Sequence, residues 1–254
     1  MLYREVSLSD SATAVLFTIC ARRRNDAAFF SRTVRVLRVD VVLFALLMEN
    51  ILALCTGISS LNLTLFSDSR TSRYTKVLDM QHLSSLESLS LINPMDVRMD
   101  LDKLPPNITH LAVLYTDFYT GGIAGHIMDM LLKRPSITHI LYGPGVYASL
   151  QHNAGHSGGL VSMLAEDPRP HLRVLVVLCS QNVSGSGEDP DAEDIRRVEE
   201  EVARMRKMEP RLVPVNSEKR YFGRMKSMLD VDLDKDDVWE KAEDFLRAAR
   251  DEAT

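Results

Sequence analysis

Cysteine is scarce in this chain: Cys20, Cys55 and Cys179 are the only three in 254 residues. They are odd in number, far apart and set within apolar runs, so a disulfide framework, which needs a denser and even set, is excluded. Buried thiols in a reducing compartment are the expectation. A secretory leader is not expected either, because Met1 to Glu5 supplies neither a basic start nor a long apolar stretch. Long hydrophobic runs are missing too. The most apolar stretch, Val41 to Cys55, is broken by Glu49 and Asn50 and falls short of the roughly 20 residues of a membrane span. It reads as a buried helix. Net charge is small, at −5, which names no partner and offers no concentrated basic face for nucleic acid. An intracellular protein, cytoplasmic or nuclear, is therefore expected. In that setting the sequons at Asn62, Asn107 and Asn182 are chance matches.

A catalytic constellation is also lacking. His152 and His156 have the spacing of a metal pair on a helix, but Asn153 follows the first, and the neighbouring glycines favour a loop. His171 and Cys179 flank one strand, which sets them roughly 25 Å apart, far beyond hydrogen-bond reach. Arg22, Arg23 and Arg24, with Arg32 and Arg35 nearby, read as a solvated helix end. Gly121-Gly122-Ile123-Ala124-Gly125 matches neither phosphate-loop spelling. No acid, base and nucleophile converge. An enzyme is not expected, and neither is a metal or cofactor.

What the chain does have is a recurring pattern, apolar-x-x-apolar-x-apolar. It reads Val34-x-x-Leu37-x-Val39, Ile58-x-x-Leu61-x-Leu63, Leu86-x-x-Leu89-x-Leu91, Ile108-x-x-Leu111-x-Val113, Ile137-x-x-Ile140-x-Tyr142 and Leu172-x-x-Leu175-x-Val177. An opening copy starts at Tyr3 and a faint last one at Pro210, and successive starts lie 22 to 38 residues apart. This is the core spelling of a leucine-rich repeat. Within each copy the alternation has the period of a strand. Between copies the period becomes helical: Val15, Leu16, Ile19 and Cys20 share one face, as do Leu47, Ile51 and Leu54, and Ile123, Ile127, Met130 and Leu131. These faces are expected to pack behind the strands. Strand and helix in alternation predict a parallel sheet.

The expected fold class is α/β. It is an irregular leucine-rich-repeat solenoid over residues 1–216, with a parallel sheet on the concave side and helices on the convex side. A helical C-terminal cap follows over residues 217–254. After Leu178 the chain turns polar (Ser180 to Asp191), and a periodic helix follows with Ile195, Val198, Val202 and Met205 on its stripe. The last stretch places Val238, Trp239, Ala242, Phe245, Leu246 and Ala249 on one side, as a closing helix requires.

The residues between the repeat positions line the concave face. They are polar early (Arg38, Asp40, Asn62) and apolar late (Val174, Val176, Leu178), with His110 and His139 between. The apolar end has two readings. Either C-terminal helices or a second packed face cover it, or it forms a groove for an apolar peptide or small molecule. A pocket under Leu114, Leu141 and Val176 would favour the groove.

Four segments resemble fungal F-box-like leucine-rich-repeat proteins: Leu2 to Leu8, Cys55 to Leu63, His171 to Val177 and Asp237 to Glu243. The resemblance implies that the repeats hold a protein substrate for a ubiquitin ligase. No Leu-Pro-x-Glu-type helical module precedes the first repeat, so docking on the ligase adaptor is not expected. The leading expectation is non-catalytic recognition of an unidentified protein partner on the concave face, through Arg38, Asp40, Asn62, His110 and His139. A peptide or small-molecule binder at the apolar end, and a remnant without activity, are the alternatives.

Overall fold

In the computed structural model, residues 4–23, 27–39, 45–64, 80–92, 104–115, 123–144, 159–178, 192–216, 229–230 and 237–251 are described. The chain divides into two compact units, Met1–Val113 and Leu114–Thr254.

The first unit carries strands β1 (Glu5–Leu8), β2 (Val36–Val39), β3 (Ser60–Thr64) and β4 (Ser88–Ile92), and the start of β5 (His110–Tyr115). The pairs β1–β2, β2–β3 and β3–β4 are all parallel, in chain order. The cause is visible in the sequence. Val6, Leu37, Leu61 and Leu89 fall in one cross-strand row, and Leu8, Val39, Leu63 and Leu91 in the next. All of these except half-buried Val6 are buried. Burying each leucine stabilises by about 1.5–3 kcal/mol, so a one-residue slip would carry every one of them to water.

A main-chain device recurs at the strand starts. The carbonyl of Arg4 accepts from the N–H groups of both Arg35 and Val36, Arg35 from Ser59 and Ser60, Ser59 from Glu87 and Ser88, and Glu87 from Thr109 and His110. Thr138 does the same for Arg173 and Val174 in the second unit. Each strand is thus seated on its predecessor at one position of the apolar pattern. The turns leading in are alike too, with Ile58 N–H bonded to Cys55 O, Leu86 to Leu83, Ile137 to Arg134 and Leu172 to Arg169.

Helices α1 (Ser11–Arg23), α2 (Ala27–Thr33) and α3 (Ala45–Leu54) return the chain between the first strands. Asp10 caps α1 by accepting from Thr13 Oγ1 at 2.5 Å and Thr13 N at 2.8 Å, and these bonds hold its carboxyl below the usual range. The buried face of α1 corrects the sequence reading. Ala14, Thr18 and Ala21 face inward, while Val15, Leu16, Ile19 and Cys20 are exposed. Apolar residues surround this helix on nearly every side, so periodicity could not select the face. In α3, Met48, Ile51 and Leu52 are buried.

The second unit carries α4 (Ile123–Lys133), β6 (His139–Pro144), a helical turn α5 over residues 159–166, β7 (Val174–Leu178), α6 (Ala192–Met208), β8 (Leu212–Asn216), β9 (Leu229–Asp230) and α7 (Val238–Asp251). Its strands β6 to β9 are parallel and in chain order. Ile127, Met130 and Leu131 of α4 are buried as expected, and so are Val202 and Met205 of α6. The last repeat is offset from its expected phase. Leu212 and Pro214 pair with Leu175 and Val177, so Val213 and Val215 lie in the rows of Val176 and Leu178 instead. The turn before β8 runs directly into the strand, with Leu212 N–H bonded to Glu209 O. That removes the spacer present in earlier copies.

No helix among the described residues is long and apolar enough to cross a membrane.

Candidate functional site

Two surfaces carry the residues singled out from the sequence, one in each unit. In the first unit, Ser7, Arg38, Asn62 and Ser90 form one cross-strand row, and Glu5, Val36, Ser60 and Ser88 the row beside it. These side chains alternate with the buried leucines and are half-buried or exposed. Arg38 Nε lies 3.1 Å from Glu5 Oε1. Such a half-exposed pair contributes about 0–1 kcal/mol and leaves the guanidinium available for exchange. Asn62 has a buried Oδ1 without a hydrogen-bond partner among the described residues. An unmade bond of that kind costs about 1–3 kcal/mol. His110 follows on β5, half-buried, its Nδ1 2.8 Å from Thr109 Oγ1. Asp40 lies outside the described residues.

The second surface is closed. His139 is only 4% exposed. Its Nε2 lies 3.0 Å from Glu243 Oε1 on α7, its Nδ1 2.8 Å from Thr138 Oγ1, and its ring meets Trp239 edge-on at 5.9 Å. The network fits an imidazole donating from Nε2 to the carboxylate and accepting the threonine hydroxyl at Nδ1. His139 is thus an anchor for α7, where the sequence placed it on a binding rim. The Thr-His dipeptide recurs at one repeat position with one local geometry, and the second copy lies beneath α7.

Asp237 caps α7, accepting from Trp239 N at 3.0 Å and Glu240 N at 3.2 Å. The helix packs on β7, β8 and β9. Its expected stripe holds: Ala242 and Leu246 are buried, and Val238, Trp239, Phe245 and Ala249 half-buried. Val174, Val176 and Leu178 are at most 3% exposed, and β7 is buried along its whole length. The chain itself covers the apolar end. Leu141 and Val176 are buried with it. A cavity of about 430 Å³ opens at the start of β7 instead, lined by Leu172, Arg173, Val174, Arg211, Glu243, Leu246, Arg247 and Arg250.

Sequence reading missed the polar cluster beside that cavity. Glu209, 2% exposed, is clamped by Arg211 through Nε–Oε1 and Nη2–Oε2 contacts of 2.6 Å each. Arg211 Nη1 also donates to the carbonyls of Arg169 and Leu172 at 2.7 and 2.9 Å, stitching β8 to the turn before β7. The only signal was an acid and an arginine flanking Pro210. His171 nearby is held below its ordinary pKa by burial first, then by Arg169 and Arg211. Burial pushes the Cys55 thiol up to about 12, which leaves it inert as a nucleophile. His152, His156 and Cys179 lie outside the described residues. Among the described residues, no three His, Cys, Asp or Glu side chains gather as metal ligands.

No protein-family model, curated protein or solved structure matches the chain.

Proposed function

We propose that the chain is an irregular leucine-rich-repeat solenoid that recognises a protein partner without catalysis, using the open sheet face of its first unit. The reading rests on one observation. The row Ser7, Arg38, Asn62 and Ser90 is polar and half-buried or exposed, while the residues alternating with it, half-buried Val6 excepted, are fully buried. A sheet braced by such a core presents side chains at fixed spacing, which lowers the ordering cost of binding. Arg38 supplies a planar five-donor group, and half-buried Asn62 and His110 supply further polar side chains. Asp40 belongs to the same proposed set. His139 remains in it only if α7 lifts. The resemblance to F-box-type substrate receptors supports a protein as the ligand, and their adaptor docking is not part of the proposal.

The test is capture of partners from source-cell lysate, with the unmodified chain and an Arg38→Ala/Asn62→Ala/His110→Ala variant side by side. A partner identified by mass spectrometry should bind the variant roughly tenfold or more weakly, since a few central contacts carry most of the affinity. The variant should melt within a few degrees of the parent. Equal binding by both proteins would defeat the proposal.

A further inference from the structure

The cavity under α7 has a character of its own. Arg173 rises from the start of β7, Arg211 from the start of β8, and Arg247 and Arg250 from the last turns of α7. Leu172, Val174 and Leu246 give it an apolar floor, and its volume of about 430 Å³ suits a small organic molecule. The four cations differ in how much charge they can offer. Arg211 is committed to Glu209 and two carbonyls. Arg247 Nη1 holds the exposed Asp244 Oδ1 at 2.7 Å, a pair a ligand can outcompete. Arg173 makes no side-chain hydrogen bond or ion pair among the described residues. Glu243, the single acid in the lining, is engaged by His139 at 3.0 Å. It sits about 10 Å from Arg250 along α7 and one turn, about 6 Å, from Arg247.

We propose that this cavity binds a small organic anion. Its phosphate or carboxylate lies among Arg173, Arg247 and Arg250, and its apolar part lies on Leu172, Val174 and Leu246. The guanidinium fork matches both oxyanions. The buried floor separates this site from an ordinary solvated patch of arginines, which would hold inorganic ions without preference. The proposal is independent of the sheet face in the first unit, and either can fail alone.

The experiment is isothermal titration calorimetry of the full chain with benzyl phosphate, with inorganic phosphate and benzyl alcohol as the charge-only and apolar-only probes. Saturable binding of benzyl phosphate is expected, tighter than either control and weakening as salt rises. Arg173→Glu/Arg250→Glu should lose roughly tenfold or more in affinity, whereas Arg22→Glu at the exposed end of α1 should lose none. Should the charge reversal disturb folding by circular dichroism, Arg173→Gln/Arg250→Gln replaces it, with a smaller loss in the same direction. Absence of saturable heat at millimolar benzyl phosphate, binding unchanged in the folded double variant, or benzyl alcohol binding as well as the phosphate ester would each overturn the proposal.

Discussion

Replacing Arg211 with alanine is expected to destabilise the second unit by about 3–5 kcal/mol, the cost of removing one partner from a buried ion pair. Glu209 is the reason. At 2% exposure it keeps its carboxylate inside the fold chiefly because the Arg211 guanidinium grips both oxygens at 2.6 Å, the residue's own N–H adding one bond to Oε1 at 3.1 Å. Two carbonyls, of Arg169 and Leu172, lose their donor in the same step. Lysine should not rescue, since an ammonium cannot span two carboxylate oxygens and two carbonyls at once. The pair itself need not be a large net stabiliser. The double substitution Glu209→Leu/Arg211→Met should recover much of the loss, because desolvation of both charges disappears with them. Thermal melts of the parent, Glu209→Leu, Arg211→Met and the double variant close a double-mutant cycle, with Arg211→Ala melted alongside. A drop of roughly 10 °C for Arg211→Ala is expected, with partial recovery in the double variant. A single variant melting within a degree or two of the parent would contradict this account of the clamp.

Gly57→Ala should be nearly as damaging in the first unit. A Cβ built on Gly57 falls 1.8 Å from the carbonyl oxygen of Ser31 and 2.9 Å from its carbon. Both are backbone atoms of α2, so no side-chain rotation relieves the clash. Either α2 shifts or the turn into β3 opens, and the latter breaks the 2.7 Å bond from Arg35 Nη1 to Gly57 O. A cost at or above about 3 kcal/mol, the upper end for overpacking, is expected. Gly125 is the control. It lies inside α4, and an added Cβ there meets nothing within 4 Å. Gly125→Ala should therefore be neutral or stabilise by up to about 1 kcal/mol through helix propensity. Chemical denaturation of both variants separates the outcomes, and equal effects would show that the close approach at Gly57 does not matter.

The strands were legible because their signal is local and redundant. Leu37, Leu61 and Leu89 repeat at matching pattern positions and share one row of the sheet, so each copy corroborates the others. The long-range partners were not legible. His139 carries the same local sequence as His110, and only a helix arriving about one hundred residues later decides that it is buried. Helix α1 misled for a different reason. Its inward face uses Ala14, Thr18 and Ala21, small side chains that permit close approach, while the bulkier Val15, Leu16 and Ile19 point out. Size, not hydrophobicity alone, chose the face. The Glu209–Arg211 clamp left almost no trace, since two charges around a proline are common on any surface.

The most direct measurement of the central claim, an open polar row backed by a buried one, is a cysteine-accessibility scan of the first unit. Single cysteines at Ser7, Arg38 and Ser90 and at Val39 and Leu89 would be treated briefly with iodoacetamide and quantified by peptide mass spectrometry. Native Cys20, exposed, and Cys55, buried with its thiol pushed up to about 12, supply the limits of the scale. Positions 7, 38 and 90 should label close to Cys20, and positions 39 and 89 should stay protected like Cys55 until the chain is unfolded. Reversed parity, or equal labelling of neighbours such as 38 and 39, would mean that these strands do not hold the register on which the recognition face depends.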